Sequence, residues 1–167
     1  MISAELQQAI DSLQIQDVYL RGIYAQYEGD FDPKYFADLD SLVVQTKHHV
    51  KQSVVLASEE TSEKVLQVFI DLGARWVDEN NPDTEDSVKV VIEAQFVAEY
   101  AMKTMLEKSC IDEFSLKNAS YHVWPYWREL LSSQCDRMHL PRVVLPTVQF
   151  AHNRHENALA DEVNKQP

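Results

Sequence analysis

Glycine is scarce in this chain: Gly22, Gly29 and Gly73 are the three in 167 residues. None stands in a cluster that could cradle a phosphate, so Walker-type and dinucleotide-binding loops are excluded. A G-x-S-x-G nucleophile elbow is also missing. Cysteine is nearly absent. Cys110 and Cys135 are 25 positions apart and make neither a disulfide framework nor a zinc site. Basic residues are outnumbered, 15 against 27 acidic, for a net charge of −12. That balance argues against nucleic acid and against an anionic membrane surface, both of which need clustered Lys and Arg. An acidic surface suits basic partners instead. No apolar run approaches the roughly 20 residues of a membrane span. The opening MISAELQQAIDSLQ has no basic n-region and no apolar h-region, so a cytoplasmic protein is expected. Internal repeats and low-complexity segments are also absent.

What the chain does have is alternation. Leu66, Val68, Ile70, Leu72, Ala74 and Trp76 are apolar at every second position, with Gln67, Asp71 and Arg75 between them. Val88, Val90, Ile92, Ala94, Phe96, Ala98 and Tyr100 repeat the pattern against Lys89, Glu93, Gln95 and Glu99. Period-2 alternation predicts two long strands with one buried and one wet face, the antiparallel habit. The acidic link DENNPDTED, residues 78–86, makes the pair a hairpin. A further strand is expected over Ile15–Tyr27, with Tyr19, Ile23 and Tyr27 on one face and Val18, Leu20 and Tyr24 on the other. A short strand is expected over Val50–Ala57. Between them, Phe31–Leu42 is irregular yet rich in aromatic and apolar residues. A loop of that composition packs or binds.

Helical spacing appears at the ends. Ser3 can cap a short helix through Leu6, Ile10 and Leu13. Ser109 can cap another through Ile111 and Phe114, with Asp112 completing the box. Pro125 suits the first turn of a long helix. Trp127, Leu130, Leu131, Gln134, Cys135 and Met138 form its apolar side, and Pro141 and Pro146 force an extended exit. Strands first and helices last predict an α+β domain: a four-stranded antiparallel sheet with a long helix and a short C-terminal helix on one face. Residues 1–14 are an arm or short helix, 15–150 the domain, and 151–167 a polar tail or short helix.

Catalytic chemistry finds no foothold. Cys135 and His139 at i, i+4 could bring a thiol to an imidazole, but a cysteine among apolar helix positions reads as packing. His48-His49 beside Lys47 reads as a solvated patch. His152-x-x-His155-Glu156 has metal-clip spacing without a third ligand nearby. No catalytic residue, metal or cofactor is expected.

Trp124-Pro125-Tyr126-x-Arg128-Glu129, followed by Leu140-Pro141-x-Val143-x-Leu145-Pro146, resembles the [FY]-P-Y-x-R-E … P-x-L-x-P stretch of SecB-family chaperones. The resemblance runs from about Leu13 to Phe150 and includes Ile15-Gln16-x-Val18-Tyr19 as the first strand. It implies an ATP-independent holdase whose protomers pair and whose pairs form a homotetramer with the long helices sandwiched between sheets. It implies client contacts at Phe31, Tyr35, Phe36, Leu39 and Leu42 of the crossover segment, joined by Leu145 and Phe150. It places Trp124, Tyr126, Trp127, Leu131 and Cys135 at the oligomer interface. Glu93 matches a glutamate with which export members dock the motor SecA. The first-strand acidic positions of that dock read Gly22 and Gln26 here. Partners are therefore unfolded preproteins or, as for SecB-like proteins of toxin–antitoxin systems, an antitoxin. The competing expectation is a non-catalytic assembly subunit that binds one folded partner.

Overall fold

The computed structural model describes residues 1–81 and 85–145. Helix α1 (Ala4–Ser12) leads into strand β1 (Leu13–Tyr27); β2 (Val43–Ala57), β3 (Lys64–Val77) and β4 (Val88–Met102) follow, then helices α2 (Lys108–Lys117) and α3 (Ala119–Arg137). All pairings are antiparallel, in the order β1-β4-β3-β2. The hairpin β3–β4 therefore forms the centre, and β1 and β2 are the edges. The class is α+β, as the patterning requires. The expected C-terminal helix, the tail from residue 151, Phe150 and the His152/His155/Glu156 group lie outside the described residues.

Alternation does what it predicts in the central hairpin. Leu66 faces Tyr100, Val68 faces Ala98, Ile70 faces Phe96, Leu72 faces Ala94, Ala74 faces Ile92 and Trp76 faces Val90. All twelve of these side chains are buried beneath the helices. Each large one contributes about 1.5–3 kcal/mol relative to exposure. Trp127, Leu131 and Cys135 of α3, with Cys110 and Phe114 of α2, complete this layer. The core is thus one slab between the central strands and the α2–α3 pair.

Several local expectations are corrected. β2 begins at Val43 rather than Val50. Its polar first half shows no alternation, but β3 supplies a continuous ladder from Val43–Val77 to Ala57–Lys64. Tertiary pairing here overrides a weak local signal. Pro125 is inside α3 rather than in its first turn, because the helix already starts at Ala119. α2 begins at Lys108 after Glu107, with no side-chain cap from Ser109; Asp112 instead holds Lys108. On α1, Ser3 does cap, accepting from the Leu6 amide at 3.2 Å, but the inward residues are Leu6 and Ala9 while Ile10 points outward.

β1 departs most from its pattern. Register shifts between Ile15 and Asp17 and between Leu20 and Gly22 insert one extra residue each, at Gln16 and Arg21. Each bulge reverses the facing of the residues beyond it. Tyr19 therefore opposes Val97 on the open face of the sheet, while Ile23 and Tyr27 oppose Ala94 and Val90 on the helix side. Ile15, Val18, Leu20, Ile23 and Tyr27 all end up on the helix side; Asp17, Tyr19, Gly22 and Tyr24 share the open face. The two-face reading of this strand fails because simple alternation cannot see a bulge.

Candidate functional site

Among the described residues, the helices do not finish covering β1. On the helix side of this edge strand, Ile15 is 42%, Leu20 42% and Ile23 45% exposed. An edge strand also presents unpaired backbone donors and acceptors, a template for strand addition. The apolar row continues through Tyr27, whose hydroxyl donates to the Met138 carbonyl at 2.7 Å and fixes the strand end to the end of α3. The Phe31 ring meets Tyr27 edge-on at 5.9 Å, and Phe36 lies 5.2 Å from Phe31. An aromatic run thus joins β1 to the crossover segment.

The crossover is held by turns rather than by a ladder. The Phe31 amide donates to the Glu28 carbonyl and that of Tyr35 to Asp32, while Asp32 Oδ1 accepts from the Lys34 amide. Gly29 sits at φ +59°, the left-handed region that glycine adopts without strain. This geometry sorts the expected client residues. Tyr35 stands 82% exposed; Phe31, Phe36 and Leu39 are half-buried against the core; Leu42 and Leu145 are core residues. A cavity of about 330 Å³ opens beside them, lined by Glu28, Gly29, Asp30, Phe31, Phe36, Asp86 and Lys89.

The residues expected at the oligomer interface also divide. Trp127, Leu131 and Cys135 are buried within the single chain and have almost no surface left to bury against a second copy. Trp124 is half-buried and Tyr126 is exposed. The Trp124 indole N–H is buried without an acceptor among the described residues.

Glu93 lies on the open face, paired with Lys47 Nζ at 2.9 Å. Gly73 makes room for that pair, since a Cβ there would stand 3.2 Å from Glu93 Cγ. Other carboxylates of this face are engaged too. Gln95 donates to Asp71 at 2.7 Å and Gln67 to Glu99 at 2.6 Å. The bulged Arg21 places its guanidinium 5.1 Å over the Phe69 ring, which with Val97 is buried on this otherwise polar face.

Two histidines, His48 and the unremarked His122, bridge the layers. His48 is not merely a solvated residue: its Nε2 stands 2.6 Å from Ser120 Oγ of α3. His122 Nδ1 stands 2.9 Å from Tyr100 Oη of β4. Burial lowers the affinity of both rings for a proton. Burial also raises the Tyr100 phenol far above its ordinary range, so it stays protonated. A polar residue breaking an otherwise apolar helix face was the available sign for His122. Nothing in the sequence pairs His48 with α3.

Chemically, the arrangement presents an apolar surface beside an open strand edge. The Cys135 thiol is fully buried, and desolvation pushes its pKa up, against thiolate formation. Among the described residues, no cluster of three His, Cys, Asp or Glu could hold a metal ion, and no helix is long and apolar enough to cross a membrane.

No protein-family model matches this chain, and no curated protein matches it. Solved structures do. A SecB-like chaperone from Mycobacterium tuberculosis, solved in complex with a ChAD peptide from an antitoxin, superposes with a TM-score of 0.64 at 16% identity, over 89% of this chain and 99% of that one. A protein of unknown function from Streptococcus agalactiae gives 0.38 at 9% identity, over 83% and 99%. At such identity the first likeness is one of fold: this chain has the fold of a SecB-like chaperone.

Proposed function

We propose that this protein is an ATP-independent holdase that binds unfolded or extended polypeptides and keeps them from aggregating. The carrying observation is the uncovered apolar row of Ile15, Leu20 and Ile23, which runs through Tyr27 into Phe31 and Phe36 with Tyr35 standing in solvent. An extended segment laid there buries alternate apolar side chains and pairs its backbone with an edge. Individually weak grooves gain strength by multiplication, and a homotetramer, a dimer of dimers, provides it. The fold shared with a chaperone solved on an antitoxin peptide favours the same client class.

Within this reading, service to an antitoxin is preferred over general export. The family's acidic dock for SecA is not reproduced on the open face. Gly22 and Gln26 carry no charge, and Glu93 is already neutralised by Lys47. Toxin and antitoxin reading frames beside the gene, together with failure to retain SecA, fit this preference; robust SecA binding favours export.

The test replaces Tyr35 and Phe36 with Ser and follows aggregation of a denatured client by light scattering. Suppression is expected to fall several-fold while the native mass and circular dichroism stay unchanged. Full suppression by an intact variant removes the crossover from the site. A stoichiometric complex with one native protein, and no protection of unrelated unfolded chains, replaces the holdase by an assembly subunit.

A further inference from the structure

Tethers between the helix layer and the sheet converge on the first turn of α3, beside the α2–α3 break at Asn118 (φ −122°, ψ −40°). We propose that this elbow is a proton-operated latch: His48 and His122 hold α2 and α3 down on the sheet while their rings are neutral, and protonation releases it. The inference does not depend on the holdase reading.

The surroundings make a charge costly chiefly at His122, which is half-buried, whereas His48 is the more exposed ring. Ser120, the partner of His48, is 2% exposed, and Tyr100, the partner of His122, is fully buried. Phe114 of α2 packs edge-on against Tyr100 at 4.9 Å and lies 6.5 Å from the His122 ring.

Of the acids on the elements packed here, those of α2 are already paired. On β2, Lys47 and His49 flank His48 in sequence but point to the open face, where Lys47 pairs with Glu93, and the β3 partner of His48 is Leu72. On α3, residues 119–127 (ASYHVWPYW) contain no acid. On α2, Asp112 is held by Lys108, and Glu113 by Lys117 and Ser3.

Hydrogen bonding points the same way. When neutral His122 carries its proton on Nε2, the Tyr100 hydroxyl donates to Nδ1. A second proton, on Nδ1, reverses that bond and takes the ring away as an acceptor for the Tyr100 hydroxyl hydrogen. His48 retains solvent contact, which gives protons a way in. The movement is passed on, because α2 carries α1 through Ser3–Glu113 and Cys110–Gln8.

Trp124 and Trp127 lie close by on α3 and report the state of the latch. From about pH 7.5 to about pH 5, their emission is expected to shift to the red. Amide exchange of 110–123 should rise roughly tenfold, with the strand amides still protected. The double substitution H48Q and H122Q should abolish the pH step. A native protein without the step, or a folded double variant that keeps it, overturns the latch. Should the variant not fold, the imidazole C2–H resonances of the native protein decide. Both rings titrating below free histidine supports the latch; either titrating at or above it overturns it.

Discussion

At the scale of single residues, burial and backbone geometry give sharp expectations. Ile70 of β3 is fully buried beneath the helices, so Ile70→Ala should lose about 2–5 kcal/mol in chemical denaturation, through lost contacts and the cavity left behind. His139 is a different case. It lies just past α3 at φ +51°, while the Leu140 amide reaches back to the Cys135 carbonyl at 3.0 Å. That is a Schellman ending, in which glycine fits the left-handed position without a Cβ cost. His139→Gly should therefore stabilise by about 0.5–1 kcal/mol, and a lower denaturation midpoint would contradict the strain argument. The histidines of the latch carry a pH dependence whose sign is set by their environment. Both fold with a proton affinity below the ordinary value, so at mildly acid pH the unfolded chain binds more protons. Their contribution is complete above about pH 6.5 and is lost as the pH falls from there toward the folded-state values. The melting temperature should fall across that window in the native protein and less in the double glutamine variant.

At the scale of elements, β1 and α3 both break a simple rule. In β1 the two bulges gather five apolar side chains on one face of an edge strand, more than the helices can cover. Ile23→Asp should leave the fold intact, since nearly half of that side chain is already in solvent, and should cut client protection or weaken self-association. Native mass and light scattering together distinguish the two, and a variant normal in both clears this strand of a role. In α3, Pro125 denies a backbone donor to the helix interior. Pro125→Ala should raise stability by about 1–3 kcal/mol, and a lower denaturation midpoint would refute the argument.

At the scale of the molecule, charge and topology divide the labour. A net charge of −12 keeps such a protein soluble with apolar surface on show. The open face nevertheless keeps several of its carboxylates in local pairs. The Lys47–Glu93 pair is about half exposed, so it contributes little to stability. Its consequence is for recognition: Lys47→Ala should leave the melting temperature nearly unchanged and free Glu93 for a basic partner. Stronger retention of a lysine-rich peptide measured by titration calorimetry is the expected result, and unchanged binding refutes it.

The central hairpin was legible from residues alone, because burial on one face of an antiparallel pair imposes a period of two that no other arrangement satisfies. The crossover's aromatic character was legible for a similar reason: apolar side chains in a loop must find a surface. The bulges at Gln16 and Arg21 were hidden, since parity changes only when a neighbouring strand fixes the register. The start of β2 was hidden because its ladder comes from β3. The layering of Trp127, Leu131 and Cys135 onto the sheet, and of His48 onto Ser120, was decided by tertiary contact between residues far apart in the chain. Local pattern set which elements form and which of their faces are greasy; only the packed molecule determined which of those faces stay open to a partner.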